Sequence, residues 1–266
     1  MKLQTLNNIR FENIIKTDNS FSKHFHNTYT VGLTHDGIFK SINQNSAFVS
    51  YKNSTRIINP GEVHSGDSKS WKYTNFYPTL ELMSEIYEQM YFEKKVPEFS
   101  SHIINDIVLY SFLSKFFISV YSNANKMQIE TNLIEALSYL ISNYTTKIKK
   151  YEPIFSDTKI IKNSIDFIMD NIETNITLEQ LAMSVDLSKY HFLRVFKNRV
   201  GLTPHQFIIS QRLEKAKELI SKGVTLNEIA FNVGFSDQSH FIRNFKRVYG
   251  YAPSKLKNSS NYILYK

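Results

Sequence analysis

The sequence predicts an α+β fold in two parts: an N-terminal β-barrel with helices, then an all-α domain of two helix-turn-helix units. Three observations predict it. Short β-branched runs separated by turn formers fill residues 24–80. From about Thr79, apolar residues recur at intervals of three and four. A segment near the C-terminus occurs twice.

The strands come first. "TYTVGLT", "AFVSYKN" and "TRIINP" are punctuated by Asp36-Gly37, Asn59-Pro60-Gly61 and Ser65-Gly66-Asp67, the spacing of a small sandwich or barrel. Three helices follow, in "TLELMSEIYEQMYFEKK", "SHIINDIVLYSFLSKFFISVYS" and "MQIETNLIEALSYLISNY". The middle one is apolar over most of its circumference, which places it inside the domain or at a partner interface. Residues 147–153, "KIKKYEP", read as a linker that divides a domain at 1–150 from one at 155–266. Beyond it everything reads as helix.

Composition narrows the function. The 266 residues include no cysteine, which excludes disulfides and thiolate metal sites. No apolar run reaches transmembrane length and the start has no signal-peptide core, so a cytoplasmic protein without membrane contact is expected. The net charge of +8 favours an anionic partner. Residues 161–266 hold 15 Lys and Arg against 9 Asp and Glu, whereas residues 1–160 hold 17 against 15. The basic surplus belongs to the helical C-terminal part.

That part carries the repeat. "LEQLAMSVDLSKYHFLRVFKNRVGLTP" (178–204) aligns with "LNEIAFNVGFSDQSHFIRNFKRVYGYAP" (226–253), with one extra residue after the turn serines of the second copy. Each copy places a small residue, Ala182 or Ala230, where a second helix must cross closely. Each then places a serine, Ser188 or Ser236, suited to cap that second helix. Advancing 100° per residue turns Phe192, Val195 and Phe196 inward in the first copy, and Phe241, Phe245 and Val248 in the second. Tyr190, Leu193, Arg194 and Lys197 then face outward, as do Ser239, Ile242, Arg243 and Lys246.

Such a row suits a recognition helix in a DNA major groove. Gln pairs with adenine, Arg forks onto guanine, and Ile or Leu touches a thymine methyl. Lys197 and Lys246 lie farther along, at phosphate distance. Between the copies, Thr203 caps a helix that opens on Pro204. Its roughly 18 residues span about 27 Å, close to the ~34 Å between successive major-groove faces. The alternative is two amphipathic helix pairs with ordinary solvated faces.

Residues 161–258 resemble the DNA-binding domain of the AraC/XylS family of bacterial transcription regulators, on "IAFNVGFSDQSHFIRNFKRVYGYAPSKLK", "LAMSVDLSKYHFLRVFKNRVGLTPHQFI" and Arg212. The resemblance implies seven helices, two recognition helices and a regulated promoter, with RNA polymerase as a partner. It implies Tyr190, Leu193 and Arg194 as base readers in the first unit, and Gln238, Ser239, Ile242 and Arg243 in the second. Ser188, Lys189, Lys197, Ser236 and Lys246 complete the expected DNA-binding set. Asp186 departs from the pattern, standing where the family often has glycine.

In the N-terminal half, "HFH" (His24, His26) and "INPGEVHSG" (His64) resemble the cupin-like sensor domain of many such regulators. Metal-binding cupins add a glutamate three or four residues after the histidine pair. Thr30 and Val31 stand there instead, so no metal and no cofactor is expected. His24, His26 and His64, with Trp71 and Tyr73, are the candidate pocket for a small organic effector. A packing role for the aromatics, sealing the barrel against the following helices, is the alternative. The family resemblance also implies a homodimer through the helices of residues 79–147. The face around Ile134, Leu137, Tyr139, Leu140 and Ile141 is expected to contribute, with a core role the alternative.

The expected function is therefore an effector-responsive, double-stranded-DNA-binding transcription regulator, an activator rather than a repressor, and not an enzyme. The competing readings are a cupin-type metalloenzyme fused to a DNA-binding module and a ligand-independent DNA-binding protein.

Overall fold

The computed structural model describes residues 9–43, 46–122, 124–150, 159–257 and 262–265. The N-terminal half opens with six strands: β1 (Ile9–Thr17), β2 (Ser20–His24), β3 (Thr30–Ile42), β4 (Ala47–Ser50), β5 (Thr55–Ile58) and β6 (His64–Phe76). Then come α1 (Leu80–Tyr91), β7 (Lys95–Glu98), β8 (Ile103–Ile104), α2 (Ile107–Tyr121), α3 (Lys126–Tyr144) and β9 (Lys147–Lys150). The C-terminal half runs α4 (Lys159–Asp170), α5 (Leu178–Met183), α6 (Lys189–Val200), α7 (Pro204–Ser221), α8 (Leu226–Asn232), α9 (Gln238–Tyr249) and α10 (Ser254–Lys257), then β10 (Tyr262–Tyr265). The expected α+β class and the seven C-terminal helices are both present among the described residues.

The main sheet is antiparallel, in the order β10-β1-β6-β3-β5-β8, with β2 added to β6 and β4 to β3. Because side chains alternate along a strand, each face packs on something different. Phe11 and Phe76 join Phe116 and Phe117 in the core under α1–α3, with Phe76 and Phe116 centroids 5.1 Å apart. Ile14, Trp71 and Tyr73, from the opposite face, share one apolar cluster with Phe241, Phe245, Tyr249 and Tyr251. Phe25 and Val63 likewise join the cluster of the first helix-turn-helix unit. The cores of both C-terminal units are therefore continuous with the barrel.

Several sequence expectations need correction here. Asp36-Gly37 is no hairpin turn. It lies inside β3, where the register with β6 shifts and Gly37 has φ +74°. Gly66 lies inside β6, where a Cβ would come 2.3 Å from the Lys40 carbonyl oxygen, so its glycine serves close approach rather than a turn. Pro60-Gly61 does turn the chain, with Gly61 at φ +74°. The presumed linker begins as β9, whose Lys147–Lys150 pairs with β7. Residues 151–153 lie outside the described residues. The stretch after the linker is not wholly helical, since β10 returns to pair with β1.

The middle helix starts only at Ile107, because Asp106 caps it by accepting from the Val108 and Leu109 backbone N–H groups. On α3 the expected dimer face is turned inward. Leu137, Leu140 and Ile141 are at most 1% exposed and belong to the barrel–helix core, with Ile134 and Tyr139 packed against it. Burying that face within one chain is what holds α3 against α1 and α2. The aromatics Trp71 and Tyr73 do seal the barrel, but against the C-terminal half rather than α1–α3.

Candidate functional site

The two helix-turn-helix units are built alike, down to their backbone hydrogen bonds. Thr177 and Thr225 open α5 and α8 with reciprocal capping boxes to Gln180 and Glu228. In the turns, Leu187 N–H donates to the Ala182 carbonyl and Phe235 N–H to that of Ala230, at 2.9 and 2.8 Å. Asp186 adopts φ +56° where Gly234 has φ +85°, so the departure from glycine leaves the left-handed turn in place. Ala182 and Ala230 are buried at the helix crossings as expected.

The caps differ. Ser188 accepts from His191 N–H and caps α6, as read from the sequence. Ser236 does not cap α9. Asp237 does, accepting from His240 N–H at 2.6 Å. Ser236 is the extra residue of the second copy, and its hydroxyl donates to Asp237 at 3.0 Å. Position decides it: Asp237 stands three residues before His240, as Ser188 stands before His191. The backbone bond from His240 and the Ser236 hydroxyl hold the Asp237 carboxyl below its ordinary value.

Counting from the caps aligns the two recognition helices as Lys189 with Gln238, Tyr190 with Ser239, Leu193 with Ile242, Arg194 with Arg243, and Lys197 with Lys246. Phe192, Phe196, Phe241 and Phe245 are 0% exposed and Val248 is buried, so these turn inward as predicted, whereas Val195 is only half-buried. Lys189, Arg194, Lys197, Ser239, Arg243 and Lys246 are exposed, while Leu193, Gln238 and Ile242 are half-buried. The Tyr190 side chain lies outside what is described. Lys189 stands 3.7 Å from Glu179 in a solvated pair. Among the described residues, Arg194, Lys197, Arg243 and Lys246 form no ion pair, leaving their charges available to an anionic partner.

The helix α7 joins the units. Thr203 and Gln206 form a capping box, Pro204 takes the first position, and 18 residues follow in one helix. Arg212, on α7, donates to the carbonyls of Ile172 and Thr174 at 2.9 and 2.6 Å, fixing the loop after α4. Its guanidinium also passes beneath the second turn, 2.9 Å from where a Cβ on Gly234 would sit. One side chain thus ties the first unit, the joining helix and the second turn together.

On its other side α7 meets the barrel. Glu214, 6% exposed, accepts from Arg10 at 2.7 Å, His26 Nδ1 at 3.0 Å and the Tyr249 hydroxyl at 2.7 Å. Burial alone would raise the Glu214 carboxyl, yet Arg10 and His26 hold it well below its ordinary value. Lys217 is buried 4.0 Å from Glu12, and the hydroxyls of Tyr73, Tyr77 and Tyr251 donate to Glu12. None of these acids was singled out from the sequence. Their partners lie up to 239 residues away along the chain, so no local pattern reports them.

At this boundary lies a cavity of about 40 Å³. All five residues expected in a pocket line it: His24, His26, His64, Trp71 and Tyr73, joined by Tyr249 and Tyr251 from the C-terminal half. Trp71 is stacked between Phe39 and Tyr73, with ring centroids 4.1 and 3.9 Å away and Arg56 over its face. It is a packed wall. Burial drives the His24 pKa down to about 3, lowers that of His26 despite Glu214, and takes that of His64 well below its ordinary value. Burial thus favours the neutral form of all three imidazoles, with the Glu214 carboxylate opposing it at His26.

Comparison with known proteins agrees with this architecture. Residues 11–137 match the family model of the AraC-like ligand binding domain, and residues 181–259 match that of a helix-turn-helix domain. The transposon Tn10 TetD protein of Escherichia coli is 31% identical over 118 residues, 42% of this chain and 86% of that protein. The chain belongs to the AraC family of helix-turn-helix transcription regulators. The HTH-type transcriptional regulator YbfI of Bacillus subtilis (strain 168) is 27% identical to this AraC-family protein over 236 residues, covering 87% of it and 84% of YbfI. Several other curated relatives are matched over 33% to 50% of their own length. A crystal structure of apo ToxT from Vibrio cholerae aligns with TM-score 0.65 at 16% identity, covering 94% of this chain and 96% of that one, and so shares the fold.

This AraC-family protein is thus a DNA-binding transcription regulator with a ligand-binding domain, from a family of regulators rather than enzymes. No helix among its described residues is long and apolar enough to cross a membrane.

Proposed function

We propose that the regulator lays α6 and α9 into successive major grooves of promoter DNA, and that a small effector at the histidine cavity alters that binding. The observation that carries the proposal is the pair of matched exposed faces, Arg194 with Lys197 and Arg243 with Lys246, set at the two ends of the 18-residue α7. In this reading Arg194 and Arg243 fork onto guanine, Gln238 takes adenine, and Leu193 and Ile242 touch thymine methyls. Ser239 faces the bases from the first turn, the position that the family resemblance gives to Tyr190 in the other unit. Lys189, Lys197 and Lys246 meet phosphates, while Ser188 and Ser236 shape the entry into each helix.

The effector step is supported by where the cavity lies. Tyr249 of α9 lines the cavity, and Glu214 of α7 is hydrogen-bonded to the lining residues Tyr249 and His26, so a ligand that displaces the wall moves the elements that set the two reading heads. At about 40 Å³ the cavity is far below the roughly 300–1,000 Å³ of an organic-ligand pocket, so an organic effector enters only as the two halves part. We place the sensor and dimerisation functions in residues 1–150 and DNA binding in residues 155–266. The protein acts as a cytoplasmic homodimer that activates transcription with RNA polymerase.

The test is selection of bound fragments from random DNA, followed by titration of variants. Arg243→Ala is expected to cost roughly 1–3 kcal/mol and relax preference at one base pair. Lys246→Ala is expected to weaken all sequences alike and lower the salt slope by about one. A protein that selects no sequence, or an Arg243→Ala variant with unchanged preference, overturns this reading. DNA binding that no candidate effector changes favours the ligand-independent alternative.

A further inference from the structure

The cavity brings together the three histidines that the sequence grouped by type and spacing. One ring nitrogen of each of His24, His26 and His64 lies within 4.8 Å of the others, and the residues are 4% to 6% exposed. Their other ring nitrogens are all engaged. His24 Nδ1 faces the Ser22 carbonyl at 2.7 Å, His64 Nδ1 the Glu62 carbonyl at 2.9 Å, and His26 Nδ1 a Glu214 carboxylate oxygen at 3.0 Å. A carbonyl only accepts, so each Nδ1 carries the hydrogen and each Nε2 is left with a bare lone pair. Among the described residues none of the three Nε2 atoms has a hydrogen-bond partner. A water between the three rings can donate to at most two of them, whereas a metal ion accepts a lone pair from all three at once.

We propose that His24, His26 and His64 bind a divalent transition-metal ion of the zinc class through Nε2, and that Glu214 of the DNA-binding half orients the His26 ligand, coupling ion occupancy to docking of the two halves. This reverses the expectation drawn from Thr30 and Val31. A structural carboxylate is missing from those positions, but zinc sites with three histidines and one open position need none. Zinc–nitrogen bonds of 2.0–2.1 Å set tetrahedral nitrogens about 3.4 Å apart, so modest ring rotations from the present spacing close the site. Orientation of each ligand by a carbonyl or carboxylate behind it is the usual second layer of such sites. Thr30 lines the same cavity, and its buried Oγ1 has no hydrogen-bond partner, so it suits a water or hydroxide in the fourth position. Glu12 and Glu214 already face Arg10, Arg56 and Lys217, so an added dication favours an anionic oxygen there. The size agrees as well: about 40 Å³ holds an ion with one or two small ligands.

The proposal rests on the cavity being the signal-receiving site and is tested without DNA, so its failure leaves the DNA-reading proposal standing. Full-length protein is stripped with chelator, dialysed and titrated with zinc(II) against a chromophoric competitor. The expected result is one tightly held equivalent, weakened at least 100-fold by His64→Ala and by His24→Gln, and 10- to 100-fold by Glu214→Gln. His191→Ala, an exposed histidine of α6, is expected to change nothing. Circular dichroism checks the fold of each variant. Cobalt(II) on the unaltered protein gives a reading that no variant can confound: strong visible bands of four-coordinate cobalt support the site. Absence of a stoichiometric ion, weak octahedral cobalt bands, or affinity indifferent to His64→Ala overturns it. Affinity indifferent to Glu214→Gln overturns the coupling between the halves.

Discussion

Replacing Gly234 by alanine tests whether the second turn is as tightly constrained as the structure makes it. Gly234 sits at φ +85°, and a side chain there costs about 1–2 kcal/mol in backbone strain. The new Cβ would lie 2.9 Å from Arg212 Cζ, from its terminal nitrogen and from the Glu173 carbonyl oxygen. Arg212 cannot step aside freely, because it is bound to the Ile172 and Thr174 carbonyls. Crowding of this kind costs about 1–3 kcal/mol more. The sum is about 2–5 kcal/mol, a large part of the 5–15 typical of a domain. The first unit supplies the control. Asp186 occupies the matching left-handed position but is exposed, so Asp186→Gly relieves a little strain and loosens the unfolded chain by a similar ~0.5–1 kcal/mol. Urea unfolding followed by far-ultraviolet circular dichroism measures both. A Gly234→Ala cost below about 1 kcal/mol, or an Asp186→Gly change beyond about 1 kcal/mol, refutes the reasoning about this turn.

Phe245 is fully buried against Phe241, Tyr249 and Tyr251, with ring centroids 5.7, 4.7 and 5.9 Å away. Phe245→Ala is expected to cost about 3–5 kcal/mol in urea unfolding, whereas Lys246→Ala leaves the midpoint in place. The Asp237 cap has an acid limit. Its carboxyl is held below the ordinary 3.8, so the stabilisation is complete above that value and is lost as pH falls through the lower folded-state value. Melting temperatures measured from about pH 3 to about pH 7 should fall on the acid side, and Asp237→Asn, which still caps but does not titrate, should lose that component of the fall. Residues 155–266 expressed alone should bind the same DNA as the full chain, with a lower melting temperature. Their second unit then lacks Ile14, Phe39, Trp71 and Tyr73 from its apolar cluster. A fragment as stable as the full chain contradicts the shared core.

The helix-turn-helix units were legible because their information is local. Period 3.6, a cap and a small residue at the crossing all fall within about 25 residues, and the repeat supplied an internal check. Even so, the alignment placed the extra residue after Ser236, when Ser236 is itself the insertion. The capping boxes at Thr177 and Thr225 were visible as Thr-x-x-Gln and Thr-x-x-Glu and passed unremarked. Strands fared worse. β1 has little alternation, and β9 and β10 owe their existence to partners at residues 95–98 and 9–12. Gly37 and Gly66 carried turn chemistry but served a bulge and a close approach inside long strands. The histidines were found by type and spacing. The groups that aim them, Ser22, Glu62 and Glu214, could not be, since two are backbone carbonyls and the third lies 188 residues from His26.

The central claim is that one chain reads two adjacent major-groove faces through α6 and α9. Hydroxyl-radical footprinting on the DNA upstream of the protein's own gene, with unaltered protein, Arg194→Ala and Arg243→Ala, measures it most directly. The account expects two protected segments per chain on one side of the duplex, about 10 bp apart, with each variant losing protection in one segment only. A single protected segment weakened equally by both substitutions, or a pattern that neither substitution alters, contradicts it.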